Sequence, residues 1–249
     1  MLRYIRGELY RLLHKKSLYI YFGALALGYF LVAFIRSGGF GENSIISDAA
    51  NLFTFLPVLA GGCLFAAVCT DDLNAKSLAT LVGFGMGKTK IVLAKLCLMA
   101  LLSAAAFGLV PLFHCGVYAM LGCAPGAGDW AMLYALTLKF LLSALAFAVL
   151  SGVMVYGAQR VTFAVVLYIL LAFNVASGLA SAVLNMDFVT SLAPNLSSHL
   201  MSGISDRIFI ALTGGGSMIR PAVEYVIYVA IAAALSIIAF RKKEMEFWP

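Results

Sequence analysis

Long apolar segments separated by short polar connections dominate the pattern of hydrophobic and polar positions along the chain. The segments are residues 17–35, 49–69, 91–120, 130–156, 161–183 and 221–240. A membrane-spanning helix requires about 20 mainly apolar residues, and every segment reaches that length. The pattern therefore predicts an all-α membrane protein with six transmembrane helices, in one domain that covers residues 1–249.

Residues 1–16 follow a different pattern, with apolar and charged positions on opposite faces of a helix. The apolar face carries Leu2, Ile5, Leu9, Leu12 and Leu13. The other side carries Arg3, Glu8, Arg11, His14 and Lys15. We expect an amphipathic helix in the membrane interface, with its leucines at the acyl boundary and its cations near anionic headgroups. The alternative is a basic anchor that only sets the topology.

The composition excludes a soluble domain. Hydrophobic residues make up 63% of the 249 residues and charged residues 11%, whereas soluble domains carry about 25% charged residues. Charge this sparse cannot solvate a globular surface of this size, so lipid must cover much of it. The net charge of +6 comes from basic residues beside apolar segments, which indicates membrane topology rather than nucleic-acid binding.

The basic residues also set the orientation. If the N-terminus lies inside, the outer segments hold only Arg36, Arg207 and Arg220, and every inner segment carries at least one Lys or Arg. This bias is the one that orients membrane proteins. It predicts that both termini are cytoplasmic.

The connection from Asp71 to Lys90 is the only sizeable inner loop in this topology. Asp71 or Asp72 can cap a short helix, whose apolar positions are Leu73, Leu78, Leu81 and Val82. The glycines that follow lead into Gly87-Lys88-Thr89, as in a P-loop. The first P-loop glycine is replaced by Val82, however, and no strand precedes it, so we expect no nucleotide site.

A few polar residues fall within the apolar segments. A Lys at the bilayer centre costs about 2.5–3.5 kcal/mol, so Lys139 is either part of a polar pathway or lies at the outer interface, if its span begins at Phe140. Asn51 and Thr54 are further candidates for the pathway. In the outer connection we expect a short helix from about Leu196 to Leu212. The sequence suggests no catalytic, cofactor-binding or metal residues, and its five cysteines have no metal-site spacing.

Three stretches resemble the type-two ATP-binding-cassette (ABC) transporter permeases, exporter class. They are MLRYIRGELYRLLHKKS at the start, DDLNAKSLATL with the later GMGKTKIVLAK, and FRKKE after the last apolar segment. The resemblance implies a membrane subunit without its own ATPase site, in the inner membrane of a bacterial cell. Its partners would be a second permease, identical or related, and two ABC ATPase subunits that bind the ATP.

The resemblance also implies a coupling loop and a substrate class. The loop that contacts the ATPase would contain Asp71, Asp72, Leu73, Ser77, Leu78, Leu81 and Val82. The substrate would be an exported or extracted amphiphile such as an antimicrobial peptide, a drug or a lipid, as in antimicrobial peptide resistance. Two other classes stay open. An ion-coupled secondary transporter would need charged residues and broken helices at mid-membrane, and a membrane-embedded enzyme would need converging His or acidic residues.

The topology prediction can be tested by cysteine labelling. In a cysteine-free background, a cysteine at position 242 should react with a membrane-impermeant maleimide only after the cells are opened, because we expect the C-terminus inside. A cysteine at position 219 should react in intact cells. Labelling of position 242 from outside intact cells would contradict the topology.

Overall fold

A computed structural model describes residues 2–37, 44–70, 81–123, 125–186 and 196–242, which form helices and no β-strands. The α-helices are α1 (Leu2–Leu13), α2 (Lys16–Arg36), α3 (Ser44–Phe53), α4 (Gly62–Phe65), α5 (Lys88–Met120), α6 (Ala127–Ala158), α7 (Val161–Ala172), α8 (Val175–Leu184), α9 (Met201–Gly214) and α10 (Ile219–Lys242). The π-helical segments Pro57–Gly61 and Ala66–Thr70 flank α4, and the 3-10 helix Leu196–His199 precedes α9. The predicted all-α class is confirmed.

Four of these helices, α2, α5, α6 and α10, are each long and apolar enough to cross a membrane. Two further apolar segments are bent pairs of helices. Ile45–Phe53 meets Pro57–Cys69 at 41°, and α7 meets α8 at 62°. By length and composition the described residues therefore provide four spans, or up to six if each bent pair is one span.

The central helix of the bundle is α6, which packs against α3, α5, α7, α9 and α10. Many of its buried residues are small, including Ala144, Ala146, Ala148 and Ser151. Small side chains let helices approach closely, which is how apolar helices gain packing energy where lipid removes the hydrophobic driving force. This central helix places Lys139 among several neighbouring elements.

Both breaks have local causes that the apolar pattern does not reveal. Before the first break, the Thr54 hydroxyl donates to the Ala50 carbonyl (2.9 Å), and Pro57 lacks the N–H that would continue the helix. At the second break, Asn174 adopts the left-handed conformation with φ 57°, which Asn tolerates better than most residues. Segments 49–69 and 161–183, expected as continuous helices, are each divided by a turn for these reasons.

The predicted N-terminal amphipathic helix is present as α1. Part of its apolar face packs against the protein, because Leu12 is fully buried and Ile5 and Leu9 contact the same core. The predicted helix in the outer connection is also present, as Leu196–His199 followed by α9. Met201 and Ile208 of that region are buried in the bundle core, so α9 belongs to the bundle.

A buried ion pair joins α1 to α5. Lys95 Nζ lies 2.8 Å from Glu8 Oε2, and the Lys95 side chain is only 1% exposed. Arg11 on α1 also contacts Glu8, at 2.7 Å. Burial alone would raise the pKa of Glu8, but hydrogen bonds from Lys95 and Arg11 outweigh it and hold the pKa below its usual value. The carboxylate is therefore the stable form in the folded chain.

Replacing Glu8 by Gln should destabilise the protein markedly. The substitution leaves the Lys95 ammonium buried without its carboxylate, and breaking a buried pair in this way costs about 3–5 kcal/mol. We expect a lower melting temperature for the full chain in neutral detergent. Arg11→Ala is the control, because Arg11 is 43% exposed and an exposed pair contributes at most about 1 kcal/mol.

The same pair predicts a pH dependence with a definite sign. Because folding lowers the pKa of Glu8, its stabilisation is complete above the unfolded-state pKa of about 4.3. It is lost as the pH falls through the folded-state pKa. The gap in melting temperature between Glu8→Gln and the wild type should therefore close at acid pH, and a gap that widens there would contradict this assignment.

Candidate transport site

A polar cavity of about 340 Å³ lies where the two bent pairs meet α6 and α9. We call it the break cavity. Its polar lining residues are Thr54, Lys139, Ser143, Asn174, Ser177, Ser181, Ser202 and Asp206, and its other lining residues are Pro57, Phe140, Phe147, Ala172 and Gly178. The volume is at the lower end of the range for ligand pockets, about 300–1,000 Å³. Both helix breaks, at Thr54–Pro57 and at Asn174, contribute to its wall.

A buried hydrogen bond ties the first break to α7. The Tyr168 hydroxyl donates to the Pro57 carbonyl over 2.8 Å, and the Tyr168 ring stacks on Phe65 with centroids 5.0 Å apart. Tyr168 is 1% exposed. Gly61 faces the same hydroxyl so closely that any side chain there would collide with it. The glycine therefore makes room for the donor that satisfies a backbone carbonyl beside the break.

The second break is held by short-range hydrogen bonds. The Ser177 hydroxyl lies 3.0 Å from the carbonyl oxygen of Asn174 and 3.1 Å from its Oδ1. Asn174 is also the N-cap residue of α8 but makes no side-chain capping hydrogen bond to the helix. The first turn of α8 thus begins at the cavity wall with its amide groups uncapped by Asn174.

Lys139 lies in the cavity wall between several partners. Its Nζ is 2.6 Å from Asp206 Oδ1 on α9. The ammonium also lies 5.3 Å from the ring centroid of Phe140 and 5.6 Å from that of Phe209, which is within the range of cation–π attraction. Its side chain is 27% exposed. The helix α6 continues unbroken from Ala127 past Lys139, so the lysine lies within this helix and not in a separate segment before it.

The other predicted residues fall in three places. Thr54 lines the break cavity with Lys139, whereas Asn51 is exposed on α3 and is absent from the cavity lining. Of the predicted coupling loop, Asp71, Asp72, Leu73, Ser77 and Leu78 lie outside the described residues. Leu81 and Val82 are described, and both are partly buried against the bundle core.

Sequence reasoning missed Asp206 and the serines of the cavity. Asp206 follows no motif and stands between Ser205 and Arg207, so nothing in the sequence separated it from the other polar residues of the outer connection. Ser177 and Ser181 are one helical turn apart, but serine is common in apolar helices. The position of Ser177 and Ser181 in the cavity wall depends on the 62° bend between α7 and α8. No local sequence pattern indicated this bend.

A second buried polar network lies on α2, α3 and α5, away from the break cavity. The Tyr118 hydroxyl donates to Asp48 (2.6 Å), which also contacts Arg36. His114 Nε2 lies 3.0 Å from the Ile45 carbonyl. Because a carbonyl only accepts, Nε2 carries the proton and Nδ1 accepts from the Tyr29 hydroxyl. These bonds use the buried polar atoms to join three helices.

Metal binding finds no support in the described residues, since they contain no group of three or more His, Cys, Asp or Glu arranged to hold a metal ion. The five cysteines are all free thiols. The polar side chains that line the break cavity are hydroxyls, the Asn174 amide, one carboxylate and one ammonium.

Replacing Tyr168 by Phe should loosen the first break. The Pro57 carbonyl loses its buried donor, which costs about 1–3 kcal/mol, and the melting temperature should fall. Tyr134→Phe is a matched control, because Tyr134 is 43% exposed. Gly61→Ala should destabilise the wild type more than it destabilises the Tyr168→Phe variant, which lacks the colliding hydroxyl. Equal costs in the two backgrounds would contradict the contact.

No protein-family model matches the sequence, and no curated protein is significantly similar to it.

Proposed function

We propose that this chain is the membrane subunit of an ABC transporter of the exporter class, and that its substrate binds in the break cavity. The break cavity is the observation that supports a transport function. It places hydroxyls, an ammonium and a carboxylate beside helices that are long and apolar enough to cross a membrane. Polar and ionisable residues in such helices are expensive to insert, and they usually mark a substrate path.

The lining of the cavity suits an amphiphile, such as a lipid, a drug or an antimicrobial peptide. One part of its wall is apolar, formed by Pro57, Phe140 and Phe147, and another part carries hydroxyls and charges. A volume of about 340 Å³ fits a headgroup or a small molecule, whereas a longer substrate would extend beyond it. Discontinuous helices that meet at a binding site also provide hinges for alternating access.

The motor would be a separate ATPase that contacts the loop after Thr70, as the resemblance to type-two ABC permeases implies. The packing of Leu81 and Val82 against the bundle core supports this part, because a loop fixed firmly at its end can pass movement to α5. Leu81 is thereby engaged within this chain, so Leu78 is the better candidate for an apolar anchor on the ATPase. ATP would bind on the partner, and this chain would be a transport subunit rather than an enzyme.

A second candidate function is an ion-coupled secondary transporter. The specific observation in its favour is that two broken helices meet at a cavity that contains the Lys139–Asp206 pair. Broken helices and charged residues at a shared site are typical of that class. The energy source separates the two candidates, because one needs ATP on a partner subunit and the other needs an ion gradient.

Co-purification tests the proposal directly. The full tagged chain, isolated from its native host in mild detergent, should carry an ABC ATPase subunit, seen by mass spectrometry and by vanadate-sensitive ATP hydrolysis. Leu78→Asp should lose the ATPase while still inserting in the membrane, because a charge replaces the proposed apolar anchor. Ile219→Asp is the control, since Ile219 is 76% exposed and lies outside the proposed contact.

Two results would count against the proposal. If Leu78→Asp recruits as much ATPase as the wild type, the loop is not the coupling element. If the wild type brings down no ATPase, and its transport stops when a protonophore collapses the ion gradient, the secondary-transporter function replaces the ABC function.

A further inference from the structure

The two side chains of the ion pair in the break cavity are unequally covered by the protein. The Asp206 side chain is 51% exposed, whereas that of Lys139 is 27% exposed. Removing the partner of a charged group costs more when the group is buried, because water cannot replace the partner. Lys139 therefore depends more strongly on a nearby anion than Asp206 depends on the ammonium.

This difference in exposure determines whether an anionic or a cationic ligand replaces one member of the ion pair at the lower cost. An anionic ligand that displaces Asp206 keeps Lys139 paired and leaves without its partner only the more accessible group of the pair, the half-exposed carboxylate. A cationic ligand that captures Asp206 would instead leave the less exposed Lys139 without an anion. The ring centroids of Phe140 and Phe209 lie 5.3 and 5.6 Å from Nζ, so cation–π attraction can hold the ammonium in place during the exchange.

The remaining polar wall favours an anion as well. The hydroxyls of Ser181 and Ser202 line the same cavity and can donate to oxyanions. The first turn of α8 also lines it through Asn174 and Ser177, and Asn174 provides no side-chain cap. The amide groups in the first turn of a helix add partial positive charge at its N-terminus. Lys139 and this helix end thus contribute positive potential, opposed by the single carboxylate of Asp206.

We propose that Lys139 is the anion-binding residue of the break cavity, which takes the phosphate or carboxylate headgroup of an anionic amphiphile by exchange with Asp206. The apolar carbons next to the headgroup pack against Phe147, Pro57 and Ala172, which lie in the same wall. The inference rests on the proposed transport function and names its substrate class. The ordinary resting state is the Lys139–Asp206 pair, and ligand binding replaces one charge-assisted hydrogen bond by another.

Binding of defined probes to the purified full chain tests the inference. The probes are decyl phosphate, decyl trimethylammonium and decyl maltoside, which share one tail, together with inorganic phosphate. In neutral detergent, we expect decyl phosphate to bind most tightly, as measured by calorimetry and by the shift in melting temperature. Inorganic phosphate should bind more weakly because it lacks the apolar part. Equal binding of the two phosphates would overturn the amphiphile class and assign the site to a free anion.

Three variants separate the role of Lys139 from general stability. Lys139→Gln should weaken decyl phosphate binding by about tenfold or more, because a charge-assisted hydrogen bond is lost. Lys139→Arg should retain binding, and Asp206→Asn should bind more tightly than the wild type because the competing carboxylate is gone. Arg220→Gln is the control, since Arg220 is 80% exposed and does not line the cavity.

Several outcomes would overturn the inference. Tighter binding of decyl trimethylammonium than of decyl phosphate would contradict an anion-binding role of Lys139. Unchanged binding in Lys139→Gln, or weaker binding in Asp206→Asn, contradicts it too. Suppose that Lys139→Arg and Asp206→Asn melt at the same temperature as the wild type, but Lys139→Arg does not retain binding and Asp206→Asn does not bind more tightly. Loss of folding would then not explain the result, and the inference would be wrong.

The two proposals can fail separately. If the ATPase subunit co-purifies with the wild type but decyl phosphate binding is independent of Lys139, only the inference about the headgroup fails. If binding depends on Lys139 but no ATPase subunit co-purifies, the ABC function fails and the anion site remains.

Discussion

Where an apolar helix breaks, its backbone amide and carbonyl groups lose their helical partners, and a surrounding lipid phase offers none. Irregular backbone at membrane depth is therefore tolerated only where protein or a water-filled cavity surrounds it. Both broken segments of this chain turn inward at their breaks and share one cavity. The Tyr168 hydroxyl at the Pro57 carbonyl and the Ser177 hydroxyl at Asn174 supply partners there. The need to satisfy the backbone thus explains why the cavity lies where it does.

The same constraint governs the buried charges. Lys95 is paired with Glu8, Asp48 with Arg36 and Tyr118, and Lys139 with Asp206. The contacts of Lys95 with Glu8, of Asp48 with Tyr118 and of Lys139 with Asp206 join helices that are distant in sequence. The partners that offset the cost of removing these charges from water therefore also fix the packing. Lys139 differs from Lys95 in being partly exposed to a cavity. That exposure makes exchange of its partner possible, whereas the Glu8–Lys95 pair is suited to holding α1 in place.

The proposed transport function brings these features together. A cavity bounded by two bends can change shape when the segments on either side of each bend move relative to each other. The segments that would move, α3 and α8, also carry or adjoin cavity residues such as Thr54 and Ser177. Movement delivered to α5 through Leu81 and Val82 would reach the core that surrounds the cavity. The anion proposed for Lys139 would then enter and leave as the cavity opens and closes.

The sequence by itself determined the all-α class, the apolar segments and the amphipathic α1, because periodicity and segment length are local properties. It also singled out Lys139 and Thr54, since polar residues stand out in apolar segments. Only the tertiary structure decided that Thr54 and Lys139 share a cavity, that Asn51 does not line it, and that Asp206 on α9 is the partner of Lys139. It also revealed the bends at Thr54–Pro57 and Asn174. The physical reason is that a bend and an ion pair between distant helices depend on how helices pack, and packing is set by contacts far apart in the chain rather than by local pattern.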